Sequence, residues 1–230
     1  MNRLRDLGQA SWALLREWGV LVRQRWLWLV LFAGFTCIVA GLLHPWDPAL
    51  EAWVRGHQTP RYAAFAGQLS HWGELHLAPL FALILLAVVG FWRRRPRLGW
   101  AALAGLLAGC AGGIFVNILK VIVGRPRPST SLLDGPNWFH LGYDYASFPS
   151  GHATHCMAVA GAVVVLAPRS GAAMIVASLA VGWSRWYLTR HYLTDVWAGS
   201  CLGLAIGLLF GLAARRILSR QSEYVKVDRN

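Results

Sequence analysis

At 230 residues, with 56% hydrophobic and 14% charged side chains, 13 Trp and a mean hydropathy of +0.44, the chain is too apolar for an ordinary soluble domain. A net charge of +12 raises nucleic acid as a partner, but the basic residues fall between apolar runs and not along one polar face. The pattern argues against nucleic acid and for an integral membrane protein whose partner is the lipid bilayer.

In chain order, residues 1 to 25 mix Leu, Val and Trp with Arg at helical spacing, which predicts an amphipathic interfacial helix on the cytoplasmic membrane surface. Six apolar runs follow, near 26–43, 75–92, 99–121, 152–167, 171–189 and 194–214. About 20 apolar residues cross the roughly 30 Å hydrocarbon layer as a helix, so residues 26 to 214 predict one all-α domain, a bundle of six transmembrane helices. The fourth and fifth runs are separated only by Pro168-Arg169-Ser170, which forces an antiparallel hairpin. Some 25 residues precede the first run and no small-x-small site follows it before His44-Pro45-Trp46, so it is expected to stay as an anchor. Residues 215 to 230 read as a polar, frayed cytoplasmic tail, and no repeat or second domain is evident.

Lys and Arg set the expected orientation. With the N-terminus inside, 15 of the 22 basic residues collect on the cytoplasmic side, which also holds the C-terminus. Five of the seven exceptions, Lys120, Arg125, Arg127, Arg185 and Arg190, lie in or beside three motif clusters. The active face is therefore expected outside the cytoplasm, on the periplasmic side if the membrane is a bacterial inner membrane, and all eight His fall on that face. His44, His57, His71 and His140 read as solvated loop residues. Cys37, Cys110, Cys156 and Cys201 lie within apolar runs without metal or redox spacing, so disulfides are not expected.

In the first cluster, Lys120 closes an apolar helix, and Gly124 with the following prolines turns the chain so that Lys120 and Arg127 converge. Lys offers a point charge and Arg a planar fork that matches two phosphate oxygens, although snorkelling to headgroups explains such residues equally well. In the second, Ser150 is a natural N-cap, and the free amides of Gly151 and His152 at a helix start attract anions. A plain cap accounts for Ser150 and Gly151 but not for His152. In the third, His191 and Asp195 stand four apart, so on one helix the carboxylate can orient the imidazole; Ser184 and Arg185 lie just under two turns earlier. A packed His-Asp pair is the structural alternative. An aromatic loop with Trp138, Phe139, Tyr143 and Tyr145 reads as an interfacial anchor or a lid over a lipid chain.

These clusters read Lys-x6-Arg-Pro, Pro-Ser-Gly-His and Ser-Arg-x5-His-x3-Asp, eleven fixed positions over residues 120 to 195. In them the chain closely resembles the type 2 phosphatidic acid phosphatase superfamily, membrane lipid phosphatases related to vanadium haloperoxidases. Arg125-Pro126 offers a second Arg-Pro, but only Arg127 satisfies the family spacing. The resemblance implies His191 as the nucleophile that forms a phosphohistidine, Asp195 as its orienting partner and His152 as general acid and base. Lys120, Arg127, Ser150, Gly151 and Arg185 are expected to bind the phosphate, with Ser184, His155 and Arg125 as secondary candidates. No metal or other cofactor and no obligate protein partner is implied.

The expected activity is therefore metal-independent hydrolysis of the terminal phosphate of a lipid phosphate or diphosphate, such as undecaprenyl diphosphate, phosphatidylglycerol phosphate or phosphatidic acid. A lipid A phosphatase and a non-catalytic lipid-phosphate binding or translocating protein are the alternatives. A vanadate-dependent peroxidase fits poorly with six spans.

Overall fold

The computed structural model describes residues 2–130 and 135–227 and contains no strand among them. Nine α-helices follow in chain order: α1 Asn2–Gln24, α2 Trp26–Leu43, α3 Asp47–His57, α4 Pro60–Trp72, α5 Ala78–Trp92, α6 Pro96–Val123, α7 Gly151–Leu166, α8 Pro168–Tyr187 and α9 Leu193–Val227. Each of the six expected apolar runs becomes a helix, with boundaries shifted by a few residues except at the end of the last, which extends to Val227. Among the described helical segments, Trp26–His57, Pro96–Val123 and Leu193–Ser222 are long and apolar enough to cross a membrane. Helices α5 and α7 are apolar but shorter, with 15 and 16 residues. At 1.5 Å per residue they reach about 22 and 24 Å, less than a full hydrocarbon layer.

Two helices were not expected. Residues 47 to 72, read as an outer loop, form α3 and α4, so His57 and His71 sit on helices, although both remain exposed. Local chemistry explains the starts. Each helix has proline in its first turn, where a missing N–H costs nothing, and the Thr59 hydroxyl accepts the Tyr62 amide at 3.4 Å as the N-cap of α4. Their polar faces break up any continuous apolar run.

The expected frayed tail is helical as far as Val227, and its last residues, 228–230, lie outside the described residues. α9 continues as helix to Val227, and its C-terminal half packs on α1: Leu14 and Leu21 are buried there, and Trp18 stacks on Phe210 with ring centroids 5.4 Å apart. Beyond the apolar contact, Glu17 accepts from Arg216 at 3.4 Å and from Arg220 at 3.0 Å. The apolar stripe of α1 is thus used against the protein itself.

α7 is the central helix, buried along most of its length between α6, α8 and α9. Its approach to α9 rests on Gly199, Gly203, Gly207 and Gly211, which recur every fourth residue and so form one face of α9. That face lies against the carbonyls of Ser150, Thr154, Ala158 and Ala162 on α7: an added Cβ would sit 2.6 Å from Ser150 O at position 199 and 2.6 Å from Ala162 O at position 211, and would overlap Thr154 O at 203 and Ala158 O at 207. Small residues let helix backbones approach this closely where lipid gives no hydrophobic push between helices.

Gly203→Ala should therefore cost about 1–3 kcal/mol by overpacking, read as a lowered thermal transition in detergent. Gly113→Ala, whose Cβ meets nothing within 4 Å, should leave the transition unchanged. Equal behaviour of the two variants would refute the close-packed seam.

Candidate active site

The three motifs are brought to one end of the bundle by the ends of α6, α7, α8 and α9. α6 stops at Gly124, whose φ of +53° is left-handed; a Cβ there would be strained and would collide with Asn137 O. The chain thus turns back under the Arg125–Pro128 segment. The Ser150 amide at the start of α7 donates to Asp195 O at 3.0 Å, joining the second motif to the third through the backbone.

His191 lies in the short connection between α8 and α9, not on the same helix as Asp195. It is 2% exposed. Its Nδ1 donates to Ser147 O at 2.7 Å, while Asp195 Oδ2 is 3.6 Å away, beyond hydrogen-bond length. The expected direct His-Asp hydrogen bond is thus replaced by a backbone carbonyl. Because a carbonyl only accepts, Nδ1 carries the proton and the lone pair is on Nε2, which faces Arg127 Nη1 at 3.5 Å. Burial pushes the His191 pKa down to about 4, against the opposing pull of Asp195, so the imidazole is neutral near pH 7.

Asp195 is fully buried and accepts from three groups: Arg125 Nη1 donates to Oδ1 at 2.6 Å, while the Ser147 hydroxyl at 2.6 Å and the Tyr192 amide at 2.9 Å donate to Oδ2, with His191 just beyond. The Tyr192 contact closes the first turn of α9, where a carboxylate also meets the positive helix end. Arg125, a secondary phosphate candidate, is turned away to this structural task. Burial disfavours its charge, but Asp195 and then Asp47 more than compensate and raise its pKa.

The phosphate candidates gather opposite His191. Arg127, 4% exposed, is fixed by Tyr143 O at 3.0 Å and Arg190 O at 3.1 Å, with its guanidinium 4.1 Å from the centre of the Tyr143 ring. Lys120 Nζ lies against the α7 start, 3.4 Å from where a Gly151 Cβ would be. Arg185 donates to Ser70 Oγ at 2.6 Å. His152 is within electrostatic range of Lys120, Arg185 and His191, and His191 within range of Arg127 and Arg185, so the two imidazoles and the three cations lie at the same end of the bundle.

Among the described residues, three buried side-chain polar atoms have no hydrogen-bond partner in the protein, and two of them, Ser150 Oγ and Arg185 Nε, belong to this cluster. Ser150 occupies the N-cap position, yet its hydroxyl makes no capping bond. Buried polar atoms are normally paired, and the two here fit an anion held between α7 and α8.

The remaining secondary candidates are otherwise engaged. Ser184 donates to Val181 O within α8 at 2.7 Å, and His155 Nε2 contacts Gly73 O at 2.9 Å, tying α7 to the end of α4. Sequence reasoning missed Ser147, Asp47 and Ser70. Ser147 and Ser70 carry no distinctive spacing; Asp47 had a signal, a carboxylate immediately before a proline at the end of an apolar run.

A family model, described as PAP2 superfamily, matches residues 99–217, more than half of the chain. The chain belongs to the PAP2 superfamily. Within it, the chain is 34% identical over 113 residues to a lipid A 1-phosphatase of Rhizobium johnstonii, covering 47% of this chain and 44% of that protein. It is 28% identical over 135 residues to the undecaprenyl-diphosphatase BcrC of Bacillus subtilis, covering 56% and 65%. The aligned stretches thus span between about half and two thirds of the curated relatives. The fold is shared with the PAP2-type phosphatidylglycerolphosphate phosphatase of Bacillus subtilis, at TM-score 0.60, 24% identity and coverage of 83% of this chain and 96% of that one. LpxE of Aquifex aeolicus gives TM-score 0.54 and 22% identity, covering 71% and 93%.

The neutral, buried His191 of this PAP2 protein makes stability depend on pH with a definite sign. In the unfolded chain the imidazole takes a proton below about 6.5, whereas in the fold it does so only near 4. Between those values the unfolded state binds more protons, so stability falls as pH is lowered through that window. His191→Asn should flatten this part of a pH–melting profile; an unchanged slope would contradict a buried neutral imidazole.

Proposed function

We propose that this protein is an integral membrane phosphatase that hydrolyses the terminal phosphate of a lipid phosphate or diphosphate through a phosphohistidine. The observation that carries this reading is the convergence of His191 Nε2, His152 and the Lys120–Arg127–Arg185 cations around the unpartnered Ser150 Oγ and Arg185 Nε. In the first step His191 Nε2 attacks phosphorus as the bond to the leaving oxygen breaks, and His152 gives that oxygen its proton. Next, a water surrenders a proton to His152 and attacks phosphorus, the P–N bond breaks, and phosphate leaves. The cations, Ser150 and the Gly151 amide hold the equatorial oxygens throughout, and the field of Asp195 favours the imidazolium that forms on His191. Three positive side chains supply the charge a metal ion would bring, so the reading is of a metal-independent enzyme.

The bundle fits this role as six spans, α2, α5, α6, α7, α8 and α9, within a catalytic domain of residues 26 to 214. The positive-inside bias supports cytoplasmic termini and a site on the outer face of a bacterial inner membrane. In that orientation α1 and the end of α9 pair at the inner surface, where exposed Trp12 and Leu15 suit an interfacial position. The short α7 fits a site slightly below the outer water boundary, where a lipid headgroup can reach it while its chain stays in the bilayer. The named relatives act on lipid A, undecaprenyl diphosphate and phosphatidylglycerolphosphate, which supports a lipid phosphate as the substrate class.

Purified protein should release orthophosphate from a panel of undecaprenyl diphosphate, phosphatidylglycerol phosphate, phosphatidic acid and lipid A in the presence of EDTA. His191→Ala should reduce this on the order of 10³-fold or more with the thermal transition retained, and His152→Ala by about 10²–10⁴-fold. Normal turnover by His191→Ala would exclude the mechanism. Binding of these lipids without release by the wild type would instead favour the non-catalytic binding or translocating alternative.

A further inference from the structure

Asp47 lies more than seventy residues before the first motif, opens α3 and is 2% exposed. Its Oδ2 accepts from Arg125 Nη2 at 2.8 Å and from the Thr194 hydroxyl, and its Oδ1 accepts the Thr194 amide at 3.3 Å. Thr194 stands in the first turn of α9, so a carboxylate from α3 satisfies an amide that the helix itself leaves free. Arg125 completes the chain: its Nη1 donates to Asp195 Oδ1 at 2.6 Å and to the Thr194 hydroxyl at 2.7 Å, and its Nη2 to His44 Nδ1 at 3.2 Å. The Tyr192 ring lies 4.1 Å from the guanidinium and closes the other side.

A helix cap alone needs only a neutral oxygen, and a buried carboxylate is costly without a reason for its charge. The reason is the guanidinium. With one Arg125 between two carboxylates, neither is fully neutralised. If Asp47 were neutral, Arg125 would serve Asp195 alone and cancel the negative field that His191 feels across 3.6 Å. We propose that Asp47 is a positioning residue for the His191–Asp195 pair: through Arg125 and Thr194 it fixes the start of α9 and the Asp195 carboxylate, and it shares Arg125 so that Asp195 keeps its charge for the imidazolium on His191. This rests on the proposed function only in assigning the attack to His191; the bridge itself is geometry.

Two anions separate the role from general structural damage. Orthovanadate bonds to a nucleophilic imidazole, whereas inorganic phosphate meets only the surrounding cations. Binding of each to the full-length protein in detergent is measured by tryptophan fluorescence for wild type, Asp47→Asn and Arg125→Lys. Asn keeps an acceptor for the Thr194 amide but removes the charge, and Lys reaches one carboxylate but not both. Each variant should weaken vanadate about tenfold, the scale on which partners of a site residue act, with phosphate affinity within twofold and the thermal transition preserved in Asp47→Asn. Wild-type vanadate affinity in both variants overturns the proposal, as does an equal loss of both anions. Should Asp47→Asn not fold, Arg125→Lys decides by the same ratio. The ratio is read without substrate, so a wild type that hydrolyses no lipid phosphate counts against the proposed function alone.

Discussion

The seam between α7 and α9 is the constraint on which the site depends. Four glycines of α9 lie directly on four carbonyls of α7, and the last contact toward the site, Gly199 against Ser150 O, is accompanied by the Ser150 amide bonding Asp195 O at 3.0 Å. His152 heads one of these helices and His191 precedes the other. A seam half an ångström wider would lengthen the link between the second and third motifs, so packing deep in the bundle and alignment at its end are one problem. A tight glycine seam also contributes to the burial of α7.

Around that seam, charge is arranged in two layers. The inner layer, Lys120, Arg127 and Arg185, has hydrogen-bonding capacity left over, as the unpartnered Arg185 Nε shows. The outer layer, Arg125 between Asp195 and Asp47, is fully engaged. Two arginines two residues apart therefore differ in their partners: Arg127 faces His191 Nε2 at 3.5 Å, and Arg125 bridges the Asp195 and Asp47 carboxylates. Buried charges are tolerated here because each meets a partner or faces the space where an anion fits.

Much of the bundle was legible in the sequence because a membrane helix must satisfy its backbone internally and cover itself with apolar side chains, which leaves long uniform runs. The motif residues were legible because Lys120, His152 and His191 are expensive in such surroundings. What stayed hidden had no such contrast. α3 and α4 alternate polar and apolar residues and resemble loops until Thr59 and the prolines are seen as helix starts. Ser147, whose carbonyl orients His191, contributes a backbone atom, and any residue has one. The assumption that His191 and Asp195 share a helix failed because α9 begins at Leu193, although four-residue spacing still places them 3.6 Å apart. The glycines at 199, 203, 207 and 211 drew no attention in the sequence, because their spacing gains meaning only from the helix they face.

Family membership and fold do not choose among lipids, and the names of the relatives differ on that point. The central claim is that the arrangement of imidazoles and cations flanks a single phosphorus atom. A structure of the protein soaked with orthovanadate tests it most directly. Vanadium is expected bonded to His191 Nε2, with His152 at the opposite apical oxygen and Arg127, Arg185 and the Gly151 amide on the equatorial oxygens. Vanadate bound away from His191, or with His152 turned out of reach of it, would contradict the account.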